Sequence, residues 1–350
     1  MKIALLTIWR EKNFGAELQA YATIKVLQML GYDVRMIDVR LSDCPRLNWK
    51  GRIANFISRF GPAHRKFCKF WRENIPTTKR YKSVKSLQNN PPNADVYLVG
   101  SDQVWNPEVT VDFALLYFLN FGASNIKRIS YASSFGTDKW KFPELKNEVK
   151  DLLDSFSHIT CRESSGVKIL KDEFELDAEQ VLDPTLLIED YKALTGDIQE
   201  QNLLVYYPLE YDLELELFSN ELACELGMEV KNGNSSRKLL GRIEWDRPDI
   251  SEWIRNIAEA KFVITRSFHG MVFAIMHKRQ FAVVADKYGR GTRLVSLLKL
   301  LGLDDRYFDS LEKLKIAEPW KNIIDYSIVT PKLIKLRERS INILRQNIDT

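Results

Sequence analysis

Histidine is the side chain best suited to moving a proton near neutral pH, and this chain holds four: His64, His158, His269 and His277. His64 lies in a basic stretch, His158 precedes an apolar run, and His277 falls at the end of a helical pattern. Only His269, in Thr265-Arg266-Ser267-Phe268-His269-Gly270, stands where an apolar strand gives way to a helix beside a glycine. At such a turn the first helical N–H groups are free to meet an anion. Proton transfer and anion binding are therefore expected together at residues 266–270. A serine cap with an incidental histidine explains the same residues equally well.

Arginine supplies the planar fork that grips carboxylate or phosphate. Arg162, in Cys161-Arg162-Glu163-Ser164-Ser165-Gly166, also follows an apolar run and opens a helix. An ion pair with Glu163 or another acid is the competing reading. Arg290 and Arg293 flank Gly291 in a second basic loop, either for anionic substrate groups or simply solvated. Asp102, in Gly100-Ser101-Asp102-Gln103-Val104-Trp105-Asn106-Pro107, is either a base for a hydroxyl or the builder of an Asx turn. In Asn13-Phe14-Gly15-Ala16-Glu17, Gly15 lets backbone approach a ligand, while Asn13 reads equally as a helix cap.

Several chemistries lack their signatures. There is no G-x-G-x-x-G, no phosphate loop, no metal-type Cys/His cluster, no D-x-D and no G-x-S-x-G. Dinucleotide binding, metal-dependent glycosyl transfer and serine hydrolysis are disfavoured accordingly.

The elements that must position these residues alternate along the chain. Ile3–Ile8 reads as a buried parallel strand, residues 16–30 keep helical spacing to Gly31, and Val34–Val39 reads as the next strand, which makes a βαβ unit. Further strands are expected at 96–99, 128–133, 159–161 and 181–188, and after them at 203–208, 262–265 and 281–285, with helices between. The fold class is therefore α/β, two Rossmann-like domains facing across a cleft: residues 1–190, residues 191–330, and a C-terminal helix at 331–350. Such folds bind ligands beyond the strand C-termini, where each motif above lies.

Residues 46–85 break the alternation. They carry twelve Lys and Arg against one acid, Glu73, with Trp49, Phe56, Phe60, Phe67, Phe70 and Trp71 interleaved. They read as a basic, aromatic-rich helical insertion, either a solvated face or a surface for peripheral contact with an anionic inner membrane. Nucleic acid is not expected as a partner, because no recognisable nucleic-acid module accompanies the basic run. Hydrophobic residues at 45% and charged residues at 28% describe an ordinary globular protein. The N-terminus has no signal-peptide pattern, no run of about 20 apolar residues occurs, and the four scattered cysteines read as reduced thiols, so a cytoplasmic location is expected.

In this order, NFGAELQAYA, ADVYLVGSDQVWNP, ISYASSFG, ITCRESSG, VLDPT, ITRSFHGMVFA and GRGTRLVSLLKLLGL resemble the polysaccharide pyruvyl transferase family over roughly residues 2–305. GSDQVWNP and SFHG are the most specific parts. The resemblance implies the two-domain arrangement of type-B glycosyltransferases. It implies transfer of the pyruvyl part of phosphoenolpyruvate onto two sugar hydroxyls as a ketal, with release of phosphate. The acceptor would be a sugar or a lipid-linked oligosaccharide of a bacterial surface glycan, and neither metal nor redox cofactor is required. His269 would be the acid/base, and Arg162 with Arg266 would hold the anionic donor. Asp102 or Glu17 would orient or deprotonate the acceptor hydroxyl. The family pattern has Arg two residues before the histidine, where this chain has Ser267. Either Arg266 acts from a shifted position, or Ser267 and helix N–H groups replace it. Two other functions fit the same fold: metal-independent glycosyl transfer from a nucleotide-sugar, and glycan binding without catalysis.

Overall fold

A computed structural model describes residues 1–40, 56–235, 237–239, 243–286 and 291–350. They divide into two units. Unit 1 draws on Met1–Gly51, Lys69–Ile188 and Ile334–Thr350, and unit 2 on Arg52–Cys68 and Glu189–Leu333. The chain passes into unit 2 for Arg52–Cys68 and again at Glu189. It returns to unit 1 at its end, so the C-terminal helix is no separate piece.

Unit 1 is built on β1 (Lys2–Leu6), β2 (Asp33–Asp38), β3 (Thr77–Arg80), β4 (Val96–Val99) and β5 (Lys127–Ser130). They form one sheet in the order β3-β2-β1-β4-β5, every pair parallel. Two short strands, β6 (Thr160–Cys161) and β7 (Glu179–Gln180), pair beside it, and a bridge from Ser133 to Cys161 ties them to the chain beyond β5. The central strand β1 is buried from Ile3 to Leu6, as a parallel strand covered on both faces must be. Helix α1 (Phe14–Met29) is buried almost all round over its first four turns, and Asn13 caps its start.

Residues 56–85 differ from the expected all-helical insertion. They contain helix α2 (Pro62–Asn74) and then β3, the polar edge strand of the main sheet. A strand paired on one side only carries polar residues without cost, so Thr77-Thr78-Lys79-Arg80 showed no strand pattern. The aromatic residues also divide. Phe67, Phe70 and Trp71 are core, whereas Phe56 and Phe60 are exposed; Trp49 lies outside the described residues. Three of the five described aromatics expected on a membrane face are therefore committed to packing. No helix among the described residues is long and apolar enough to cross a membrane.

The unit 1 helix that matters most for position is α3 (Ser164–Phe174), which starts directly after β6. Unit 2 has a second parallel sheet of β8 (Leu203–Tyr207), β9 (Glu229–Asn232), β12 (Phe262–Thr265), β13 (Gln280–Val284) and β14 (Tyr307–Phe308), in the order β14-β13-β12-β8-β9. An antiparallel hairpin of β10 (Arg237–Leu239) and β11 (Ile243–Asp246) stands apart from it. Its helices include α4 (Leu213–Leu226), α5 (Ile250–Ala258), α6 (Phe268–Met276) and α7 (Thr292–Leu301). Helix α8 (Tyr326–Asp349) ends the chain. In unit 1 its Arg337 donates to Leu186 O at 2.7 Å and its Ser340 accepts from Leu182 N at 3.0 Å, clamping the Leu-Asp-Pro-Thr segment.

Both sheets reverse direction of growth once, between β1 and β4 in unit 1 and between β8 and β12 in unit 2. Loops diverge at such a switch point and leave a crevice at the strand C-termini. In unit 2 the crevice is shaped by Gly270. A Cβ there would stand 2.5 Å from Thr265 Oγ1 and 2.9 Å from the Tyr207 ring, so only glycine lets α6 start this close to the sheet. Gly270→Ala is accordingly expected to cost about 1–3 kcal/mol through overpacking. Urea unfolding of the two proteins checks this, and equal midpoints would refute the close fit.

Candidate active site

The loop after β1 carries the first group of candidate residues. Arg10 and Lys12 both adopt left-handed backbone, with φ of 62° and 53°. Glu17 holds this loop from beneath: Arg10 N donates to its Oε2 at 3.3 Å and Lys12 N to its Oε1 at 3.2 Å, while Trp71 Nε1 donates to Oε2 at 2.7 Å. Glu17 has no exposed surface. A carboxyl so enclosed meets no acceptor hydroxyl, which corrects its expected contact with substrate. It positions the loop instead. Burial pushes its pKa up to about 7, against the pull of the three donors. Asn13 and Gly15 also prove structural. Asn13 Oδ1 accepts from Gly15 N at 3.0 Å and Ala16 N at 3.3 Å, so these first-turn N–H groups are occupied by the cap rather than offered to a ligand.

The loops after β4, β5, β6 and β7 meet in a buried polar cluster. Asp183 Oδ2 accepts from Ser101 Oγ and from Arg162 Nη1, each at 2.8 Å, and its Oδ1 accepts from Thr185 N at 3.0 Å and Thr185 Oγ1 at 2.5 Å. Arg162 also faces Asp102 and Glu163 at 3.8 Å each. Glu163 in turn accepts from Ser134 Oγ at 2.8 Å and Phe135 N at 3.1 Å. The three carboxylates outweigh desolvation and hold the Arg162 pKa above its ordinary value. Arg162 is 4% exposed. Its fork is thus engaged by acids of the protein, the ion-pair reading, and the geometry gives it a positioning part. Asp102 is the partly open member, with φ of 75° and its Oδ1 accepting from Gln103 N at 2.8 Å. Asp102 is thus a left-handed aspartate next to a buried cation, just beyond the C-terminal end of the switch-point strand β4.

Unit 2 brings the other candidates to its own switch point. Ser267 caps α6, its Oγ accepting from Gly270 N at 3.3 Å, and its own N donates to Thr265 Oγ1 at 2.9 Å. His269 lies in the first turn of α6, 7% exposed and edge-on to Phe268 at 5.2 Å. Arg266 does not face the helix start. Its Nε donates to Asp212 Oδ2 at 2.7 Å and its Nη1 to Ala285 O, so it ties the ends of β12 and β13 to the start of α4. Of the two alternatives raised by the sequence, this favours Ser267 and helix N–H groups over a shifted arginine. Arg293 lies in the first turn of α7, after β13; Arg290 lies outside the described residues.

Sequence reasoning singled out neither Asp183 nor Asp212, the two acids that fix Arg162 and Arg266. Asp183 sits in the quoted Leu-Asp-Pro-Thr run, and its signal was an acid before proline at a strand end. Asp212 precedes a helical pattern and was legible only as a cap. No group of three or more His, Cys, Asp or Glu residues among those described is arranged to hold a metal ion.

The raised pKa of Glu17 has a measurable sign. The folded chain keeps this proton between about pH 4.5 and 7, whereas the unfolded chain has lost it. Its contribution to stability is therefore full at low pH and is lost as pH rises through about 7. Between pH 5 and pH 8 the wild type is expected to lose about 2–3 kcal/mol more than Glu17→Gln does. Parallel urea-derived stability profiles for the two proteins would refute the assignment.

Among solved structures, a glycosyltransferase of kitacinnamycin aligns over 99% of this chain and 98% of its own, at 12% identity and a TM-score of 0.50. A spinosyn rhamnosyltransferase complexed with thymidine diphosphate aligns over 99% of both chains at 12% identity and a TM-score of 0.47. An alpha-glucosyltransferase in complex with UDP and a 13-mer DNA aligns over 97% of this chain and 94% of its own, at 12% identity and a TM-score of 0.48. At such identities likeness concerns fold alone: α/β, with the parallel sheets of type-B glycosyltransferases. No curated protein matches the sequence. The family model for polysaccharide pyruvyl transferase matches residues 13–288. Spanning the switch-point loops of both units, that match shows that the chain belongs to the polysaccharide pyruvyl transferase family.

Proposed function

We propose that the protein transfers the pyruvyl group of phosphoenolpyruvate to two hydroxyls of a sugar in a surface-glycan precursor. The observation that carries this reading is the start of α6: one histidine in the first turn, a serine cap, and a glycine that seats the turn at the switch point. Acid and anion site are thereby joined in one backbone segment.

The reaction needs both. A proton adds to the methylene carbon of phosphoenolpyruvate, which becomes the methyl group, and positive charge develops at C2. The first sugar hydroxyl adds to C2 and gives up its proton. The C2–O bond to phosphate then breaks, phosphate leaving with that bonding pair, and the second hydroxyl adds to C2 to close the ketal. Of the two hydroxyl protons, one balances the new methyl group and the other leaves with phosphate. His269 is the acid for the methylene carbon. The Ser267 hydroxyl and the N–H groups of Phe268 and His269 receive donor charge, in place of the arginine of the family pattern, the Gly270 N–H being taken by the serine cap. Asp102 is the base for a hydroxyl. Arg162 and Arg266 act through their partners: Arg162 steadies Asp102, and Arg266 fixes the strand ends around α6.

His269→Gln is expected to lower phosphoenolpyruvate-dependent phosphate release, measured with a panel of nucleoside-diphosphate hexoses and hexosamines, by about 10²–10⁴-fold. Its melting temperature should stay near that of the wild type, since glutamine is close to histidine in size and polarity at this buried position. A variant that keeps more than about half of the wild-type rate would exclude His269 as the acid.

A further inference from the structure

The basic stretch that enters unit 2 as Arg52–Cys68 has an inner and an outer side. The inner side is fixed to the β10–β11 hairpin. A Cβ on Gly61 would stand 2.5 Å from Trp245 O, so the chain passes that strand at a distance only glycine allows. Lys66 Nζ, in the second turn of α2, donates to Asp246 Oδ1 at 2.8 Å and to Arg247 O at 2.7 Å. The Phe67 ring is buried, with the Arg247 guanidinium 5.6 Å from its centre. Ser58 and Ala63 are buried as well. All of this is ordinary packing within one unit.

The outer side is different. Phe56, Arg59 and Phe60 belong to one turn, closed by Arg59 N donating to Phe56 O at 3.2 Å and Phe60 N to Ile57 O at 3.0 Å. Spacings of three and four residues put their side chains on one face. Phe56 is 59% exposed and Phe60 63%, and their rings meet edge to face at 5.4 Å. Arg65 is exposed on α2, and Lys69 and Arg72 repeat its position at helical spacing, opposite the buried Ala63, Phe67 and Phe70. Between Phe56 and Asn74 the only acid is Glu73. No acid among the described residues pairs with Arg59, Arg65, Lys69 or Arg72. Two large apolar rings held in water beside unpaired cations serve no packing within this chain.

We infer that this outer side rests on the surface of an anionic phospholipid bilayer, with the Phe56 and Phe60 rings entering the interface and the cations meeting lipid phosphates. Charge complementarity selects the occupant. A bilayer surface offers apolar depth directly beside negative charge, and it accepts rings and cations in any arrangement. Duplex nucleic acid would take the charges without requiring the rings, and that difference can be measured. Contact through two rings and a few cations is peripheral and weakened by salt. The inference is independent of the pyruvyl reading, because no residue of the reaction scheme takes part in it.

Co-sedimentation of the full chain with vesicles of mixed phosphatidylglycerol and phosphatidylcholine, and with vesicles of phosphatidylcholine alone, tests this. The wild type is expected to pellet with the anionic vesicles at low salt and to stay in solution with the neutral ones. High salt should weaken the anionic binding by roughly tenfold or more. The double variants Arg59→Glu/Arg65→Glu and Phe56→Ser/Phe60→Ser should each bind the anionic vesicles roughly tenfold or more weakly than the wild type. All four positions are exposed, so both variants should melt with the wild type. Equal pelleting with the two vesicle types at low salt overturns the inference, and so does wild-type vesicle affinity in either double variant. Binding to duplex DNA that rivals binding to the anionic vesicles and survives loss of both rings would assign this side to nucleic acid and overturn the inference likewise.

Discussion

A single buried guanidinium organises the working edge of unit 1. Arg162 meets Asp183 at 2.8 Å where the loops after β4, β6 and β7 converge, with Asp102 and Glu163 close by. Burying an ion pair is costly unless its remaining hydrogen bonds are made. Here they are made on the acid, since Asp183 accepts from Ser101, Arg162, and both the backbone and hydroxyl of Thr185. The four donors come from three parts of the chain, so one carboxylate sets the spacing of three loops. The C-terminal half of α8 closes the arrangement by bonding to Leu182 and Leu186 on either side. Removing the arginine would leave buried acids facing one another, and the loop carrying Asp102 would lose its reference point.

Unit 2 reaches the same end with less charge. Arg266 bonds Asp212 and Ala285, which joins the starts of α4 and α6 to the end of β13. Thr265 donates to Tyr207 O at 3.0 Å and accepts from Ser267 N, so the strand end itself shapes the turn. Gly270 then removes the one Cβ that would hold α6 off the sheet. In both units the arginine nearest the chemistry is a strut. Beside it stand smaller groups: Asp102 in unit 1, Ser267 and His269 in unit 2. A rigid frame carrying few reactive groups is what group transfer requires, because misplacement of a reacting group by about 1 Å is costly.

Much of this was legible in the sequence. The apolar runs that became β1, β4, β8 and β12 are buried on both faces, and such strands announce themselves. The strand-to-helix turn around His269 followed from the same pattern. What stayed hidden was polar or long-range. β3 is an edge strand with no apolar signal. The partners of Arg162 and Arg266 lie 21 and 54 residues away in the chain. No local spacing reveals which acid an arginine will meet. The Val104-Trp105-Asn106-Pro107 half of the most specific motif turns out to be packing and capping: Trp105 stacks on Phe118 at 5.6 Å, and Asn106 Oδ1 accepts from Glu108 N at 3.0 Å.

The central claim is that His269 meets the donor, and the chain's four histidines make it directly observable. With ¹⁵N-labelled histidine, the imidazole signals of His64, His158, His269 and His277 can be resolved, and His269 assigned from the spectrum of His269→Gln. Titration with phosphoenolpyruvate is predicted to move the His269 signal saturably while leaving those of His158 and His277 in place. A His269 signal unmoved at saturating phosphoenolpyruvate, or moved only by a nucleotide-sugar, would contradict the account.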